Sequence, residues 1–170
     1  LGKDRNYHKH KLEQCMLNDY KLITIFEDEW VTNKDLVKSR LMYLISNRDI
    51  RKIYARKCIV KEVETKTAME FCNLNHLQGY GSGAAIKLGV FFNNELVALM
   101  TFSKPSLSKG AKLKEEGVWE LHRFCNLKGA VVVGGASKLL KYFENNYRWN
   151  KIFSYADRRW SDGNLSNELG

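Results

Sequence analysis

The stretch Ala85-Ile86-Lys87-Leu88-Gly89-Val90-Phe91-Phe92-Asn93-Asn94-Glu95-Leu96-Val97-Ala98-Leu99-Met100-Thr101-Phe102 decides the fold. Two runs rich in β-branched and aromatic residues flank Asn93-Asn94. Asparagine tolerates the positive φ that a two-residue hairpin turn demands. The spacing therefore predicts antiparallel strands over Ala85–Phe92 and Leu96–Phe102. Downstream, Ser103 to Gly117 reads as a polar loop carrying Lys104, Lys109, Lys112 and Lys114. Val118 to Cys125 reads as a strand. Val131-Val132-Val133-Gly134-Gly135 then leads into a helix over about Ala136 to Asn146, and Lys151 to Asp157 is a further strand. From Ser161 a helix begins that the chain does not finish.

Upstream of the hairpin, Gly79-Tyr80-Gly81-Ser82-Gly83 is a loop, preceded by a helix from Thr65 or Thr67 to about Asn75 and a strand over about Ala55 to Val63. Further back, Lys34 to Ile45 keeps apolar residues at helical spacing, with Thr32 or Asn33 as a cap. Lys21-Leu22-Ile23-Thr24-Ile25-Phe26 reads as a short buried strand ending in Glu27-Asp28-Glu29-Trp30. Tyr7 to Asn18 reads as a helix. The class is α+β with a mostly antiparallel sheet and one strand–Gly-Gly–helix–strand crossover. A boundary near Asn47–Arg51 divides residues 1–48, a helix–strand–helix piece, from residues 49–170.

Composition limits the functional classes. The 170 residues are 44% hydrophobic, enough for a real core, and 28 Lys+Arg against 19 Asp+Glu leave a formal charge of +9. Such a surface attracts polyanions by steering and counterion release, although a solvated basic surface is the plain alternative. No apolar run reaches the roughly 18 residues of a membrane span, and no signal peptide is present. Cys15, Cys58, Cys72 and Cys125 form no Cys-x-x-Cys pair, which argues against a zinc ribbon and fits free thiols in a reducing cytoplasm. Neither end looks natural: no initiator Met opens the chain, and it stops at Asn167-Glu168-Leu169-Gly170.

Three groups of residues are candidates for chemistry. His8 and Lys11 lie one helical turn apart, where such a pair could address a scissile phosphate. Cleavage by a metal ion also needs carboxylates to hold Mg²⁺, and only Leu1 to Asn6 precede this helix. Gly134-Gly135-Ala136-Ser137 places small residues at a strand–helix junction, where backbone N–H groups can meet a pyrophosphate and Lys138 can add a cation; as a tight packing turn it needs no ligand. Cations interleave with aromatics in Arg148-Trp149 and Tyr155-Ala156-Asp157-Arg158-Arg159-Trp160, and the basic signal is strengthened by Arg48, Arg51, Lys52, Arg56 and Lys57 and by the loop bearing Lys112 and Lys114. That mixture suits phosphate contact and base stacking, although the rings can equally be core or edge packing. His76 and Gln78 are candidates either to line a cleft or to cap and pack.

His8-x-x-Lys11, Cys15 and Leu22-x-x-Ile25-Phe26-Glu27-Asp28-Glu29-Trp30 resemble the C-terminal part of the very-short-patch-repair-like nuclease domain of phage homing endonucleases. The resemblance covers about Asn6 to Ile45. It implies a remnant of a restriction-endonuclease-like core, in which His8 matches a helix position of the family motif. The family's Asp and Glu metal ligands have no counterpart in this segment. In order along the chain, Ala55-Arg56-Lys57-Cys58, Asn75-His76-Leu77-Gln78-Gly79, Leu96 to Phe102, Glu120-Leu121-His122-Arg123-Phe124-Cys125, Val133 to Leu140 and Ser154 to Ser161 look like the domain that follows the nuclease there. That domain is similar to the GCN5-related N-acetyltransferases, and the likeness spans about Arg51 to Gly170.

The resemblance implies a mixed, mostly antiparallel acetyltransferase-like sheet flanked by helices and incomplete at its C-terminus. It implies acetyl-CoA at Gly134, Gly135, Ala136, Ser137 and Lys138, with Glu120 or His122 as general base. Val131 stands where the family's phosphate loop has Arg or Gln, and Ser166 where it has an acidic Tyr. Three expectations follow. The first is a phage-type DNA-binding protein, cytoplasmic in an infected bacterial cell, which does not cleave on its own. The second is an acetyl-CoA-dependent N-acyltransferase. The third is a protein that docks on and inhibits a host protein.

Overall fold

The computed structural model describes residues 7–45, 50–105 and 116–155. The hairpin is present, formed by β3 (Ala84–Phe92) and β4 (Glu95–Ser103). Its turn has φ of 48° at Asn93 and 64° at Asn94, and Phe92 pairs with Glu95 across it. β2 (Ile59–Glu62) adds antiparallel to β3 at one edge. β5 (Val118–Asn126) adds antiparallel to β4 on the other side. The crossover then closes as expected: α5 (Gly135–Asn146) carries the chain to β7 (Lys151–Ser154), which lies parallel to β5. The class is α+β, with a mostly antiparallel mixed sheet between helices.

Period-two alternation sends side chains of the sheet to two faces. On one face Leu88, Val90, Met100 and Phe102 pack with Leu139, Leu140 and Phe143 of α5. Phe143 is wholly buried; it stacks on Phe102 at 3.9 Å and meets Trp119 edge-on at 5.5 Å. On the other face Leu99 and Cys125 pack with Ala68, Phe71 and Cys72 of α4 (Thr65–Asn75).

The N-terminal segment departs from the expected helix–strand–helix. α1 (Tyr7–Leu17) is followed by a segment over 20–26 that forms no strand. α2 (Glu27–Thr32) and α3 (Lys34–Ile45) come next. Lys21–Phe26 has strand composition but joins no sheet among the described residues, because composition alone does not supply a neighbouring strand. Glu27-Asp28-Glu29 is therefore no strand end. The three acids form the first turn of α2, where the helix dipole favours negative charge, and the Phe26 N–H donates to Glu29 Oε2 at 3.2 Å. α3 docks on the sheet-bearing part through Leu36 and Val37, which pack on Leu77 with Ile25 and Leu41 alongside. The Asn33 amide donates to the Leu77 carbonyl at 3.2 Å.

The strand expected over Ala55–Val63 is also divided. β1 (Arg51–Tyr54) precedes a short 3-10 turn at Ala55–Lys57, and only then does β2 begin. The turn is fixed from outside: Lys138 Nζ donates to the Ala55 carbonyl at 2.8 Å and to the Cys58 carbonyl at 2.5 Å. β1 leaves the main sheet and pairs in parallel with β6 (Ala130–Val133). Cys58, Cys72 and Cys125 are buried, Cys15 is half-buried, and all four are free. Among the described residues no helix is long and apolar enough to cross a membrane.

Candidate functional site

The β1–β6 pair has an inner and an outer face. Ile53 stands beside Val132, and both are buried in the core. The residues between them must face outward. Lys52 beside Val131 and Tyr54 beside Val133 thus form the outer face. Lys52 is exposed, and Tyr54 and Val133 are 46% and 44% exposed. The chain turns immediately after Tyr54, which brings the Arg56 guanidinium to 5.2 Å from the centre of the Tyr54 ring. Lys57 is exposed in the same turn. The outcome is a short cationic face with an aromatic ring in it.

Of the predicted nucleic-acid-binding residues, Lys52, Arg56 and Lys57 come together here. Arg51 does not. It lies on the inner side of the alternation, pairs with Glu95 at 2.7 Å and sits 5.8 Å from the Phe92 ring centre. Arg48, Lys112, Lys114, Arg158 and Arg159 lie outside the described residues. Near Arg148, Trp149 is exposed and its Nε1 donates to the Glu144 carbonyl at 3.2 Å, while Arg148 pairs with Glu116 at 3.1 Å. Tyr54 was not singled out by the sequence reading. Its signal was the alternation Lys52, Tyr54, Arg56, hidden because Lys52–Tyr54 fell between the boundary placed near Asn47–Arg51 and the strand expected from Ala55.

The Gly134–Lys138 junction is a tight turn with its lysine engaged. Gly134 has φ of 74°, a left-handed value that glycine adopts without strain. A Cβ at Gly135 would come within 2.9 Å of Val132, so strand and helix approach closely there. Lys138 is held by the two carbonyls of the 55–58 turn.

A second polar group lies on the α4 face of the sheet, where β5 carries an irregularity. Thr101 pairs with Arg123 and Phe102 with Leu121, so His122 is an extra residue. Such bulges re-aim neighbouring side chains. Glu120, Thr101 and Ser103 are buried at 3%, 1% and 7% exposure. The Thr101 hydroxyl has no hydrogen-bond partner among the described residues. Arg123 donates through Nε to the Gly79 carbonyl at 3.2 Å. The His122 ring lies so close to Gly81 that a Cβ there would overlap it. His76 ends α4: its N–H donates to the Cys72 carbonyl at 2.8 Å, and its Nδ1 accepts from the Gln78 N–H at 3.2 Å. It therefore caps and packs. Burial, aided by the charges of Arg123 and Arg40 and by His122, pushes its pKa down to about 3. The thiols of Cys72 and Cys125 hydrogen-bond to each other; that bond and burial hold Cys125 well above the ordinary thiol range, where it is unreactive.

Lys11 is exposed on α1, and the side chain of His8 lies outside the described set. Among the described residues no three His, Cys, Asp or Glu side chains gather as a metal site would require. Compared with protein-family models and with curated proteins, the chain matches none.

Proposed function

We propose that the chain binds nucleic acid, DNA in the first instance, through the outer face of β1 and β6. The observation that carries this reading is the Arg56 guanidinium lying 5.2 Å from a half-exposed Tyr54 ring, with Lys52 and Lys57 exposed beside it. Cations neutralise phosphates and an exposed ring stacks a base. The net charge of +9 adds long-range attraction. The likeness to phage homing endonucleases points the same way, and a DNA-binding relative of them is the form of protein this reading describes.

The test is fluorescence anisotropy of labelled single- and double-stranded oligonucleotides against salt. Affinity is expected to fall steeply as salt rises. Lys52→Glu with Arg56→Glu is expected to abolish binding while the protein stays folded, and replacement by Ala should flatten the salt slope by roughly 0.7 to 0.9 per lost contact. A protein that ignores both oligonucleotides in dilute buffer refutes the reading.

A second reading, acyl transfer from acetyl-CoA, draws on the buried Glu120 beside the β5 bulge. It requires a rise in melting temperature with acetyl-CoA; an unchanged melting curve removes it.

A further inference from the structure

A cavity opens beside the outer face of β1 and β6, under α3. It measures about 180 Å³, and its walls include Leu36, Arg40, Tyr43, Asn126, Lys128 and Val131. We infer that this cavity is a subsite for one unstacked nucleobase of a single strand, with the adjoining phosphate near Arg40 and Lys128. The inference rests on the reading of the outer face as a nucleic-acid surface.

Size comes first. A void of roughly 150 Å³ holds a benzene ring, whereas pockets for whole drug-sized ligands run from about 300 to 1,000 Å³. The cavity therefore suits one flat ring system and not an entire cofactor. Its chemistry fits a base. Leu36 is buried at 7% exposure and offers an apolar wall, while Tyr43, 47% exposed, offers an aromatic one. Asn126 brings a side-chain amide whose Oδ1 has no hydrogen-bond partner among the described residues, a group that can pair with a base edge. A Cβ built at Gly129 meets no atom within 4 Å, so the turn leaves open space beside the cavity. Arg40 and Lys128 stand on two sides of an otherwise mostly apolar space; Lys128 lies 4.0 Å from Asp35 in an exposed pair, which is weak enough in water for a phosphate to replace the carboxylate.

Continuity with the outer face identifies the rest of the ligand. Val131 belongs to the cavity wall, and its strand neighbour is Lys52. Two residues further along the same face stand Tyr54 and Val133, and beyond them Arg56. One track thus runs from the cavity over a cation, a ring and a second cation. Bases inside a duplex are paired and stacked and cannot reach a recess of this kind. A single strand, or a flipped nucleotide, can.

The test compares an intact 15-nucleotide deoxythymidine strand with a strand of the same length whose sugars carry no bases. Both are titrated into the full chain bearing Tyr54→Ala, so that the ring outside the cavity does not contribute. The intact strand is expected to bind at least about fivefold more tightly, the lower range for burying one base against an aromatic. Adding Ser39→Phe, which fills the cavity from its wall, should erase that preference and leave the baseless strand unaffected. If thermal unfolding shows that Ser39→Phe does not fold, Tyr43→Ala at the exposed wall should lower the preference instead. Equal binding of the two strands by the Tyr54→Ala protein overturns the base subsite while the cationic surface stands. Binding of neither strand by the unsubstituted chain overturns the nucleic-acid reading itself, and this inference with it.

Discussion

His76 makes the protein acid-sensitive by a calculable amount. The imidazole has an ordinary pKa near 6.5, and its burial against Arg123 and His122 of β5 and Arg40 of α3 lowers the folded value to about 3. Its Nδ1 accepts a hydrogen bond from the Gln78 N–H, which only the unprotonated nitrogen can do. The unfolded chain takes up a proton as pH falls through 6.5, and the folded chain does not until pH 3. Stability is therefore complete above pH 6.5 and is lost on acidification, at a limiting slope of about 1.4 kcal/mol per pH unit. Between pH 7 and pH 5 this one group removes about 2 kcal/mol. Ordinary carboxylates titrate near 4 and contribute little in that window. The assay is urea unfolding at pH 7, 6 and 5 for the unsubstituted protein and for His76→Gln, which cannot titrate. The variant should start less stable, and the gap between the two proteins should shrink by about 2 kcal/mol by pH 5. A gap that stays constant across the three pH values refutes the assignment of a neutral, half-buried His76.

Three further substitutions test the packing that holds the candidate surface. Phe143→Ala removes the ring that stacks on Phe102 and Tyr147 at 3.9 and 5.1 Å, and should cost about 3 to 5 kcal/mol in urea unfolding. Lys138→Met keeps the stem but leaves the Ala55 and Cys58 carbonyls without their ammonium; a loss of about 1.5 to 3 kcal/mol is expected, with faster amide exchange in residues 55–58. Gly81→Ala would overlap the His122 ring, and should lower stability by about 1 to 3 kcal/mol and shift the His122 ring resonances.

How much of this was legible in the sequence depended on whether an element carries its own signal. The β3–β4 hairpin did, because Asn93-Asn94 supplies the backbone its turn requires. The α5 crossover did too, since the paired glycines mark the junction and Leu139, Leu140 and Phe143 share one helix face. Lys21–Phe26 misled because β-branched composition states a preference for a pleated neighbour without supplying one. Ala55–Val63 misled for the complementary reason: Lys138, some eighty positions away, folds the 55–58 backbone into a turn. The site followed the same rule. Lys52, Arg56 and Lys57 were visible as cations in a basic run. Their common face was not, because it depends on β1 pairing with β6, a partner remote in sequence. Arg40, Tyr43 and Lys128 belong to a cavity wall only once α3 docks through Leu36 and Val37.

Lysines on a two-stranded pair have another use, since charge on an exposed strand edge discourages pairing with other chains. That explanation accounts for Lys52 alone. It predicts a polar outer face, yet Tyr54 and Val133 stand side by side there, each more than 40% exposed. It also does not reach Arg56 and Lys57, which lie in the turn after β1 and not on a strand edge. An exposed ring with a guanidinium 5.2 Å from its centre gains at most about 1 kcal/mol from that contact in water, too little to be the reason for leaving both groups in solvent. A ligand that is at once anionic and flat would use the two together, and a nucleic-acid strand presents both features at every residue.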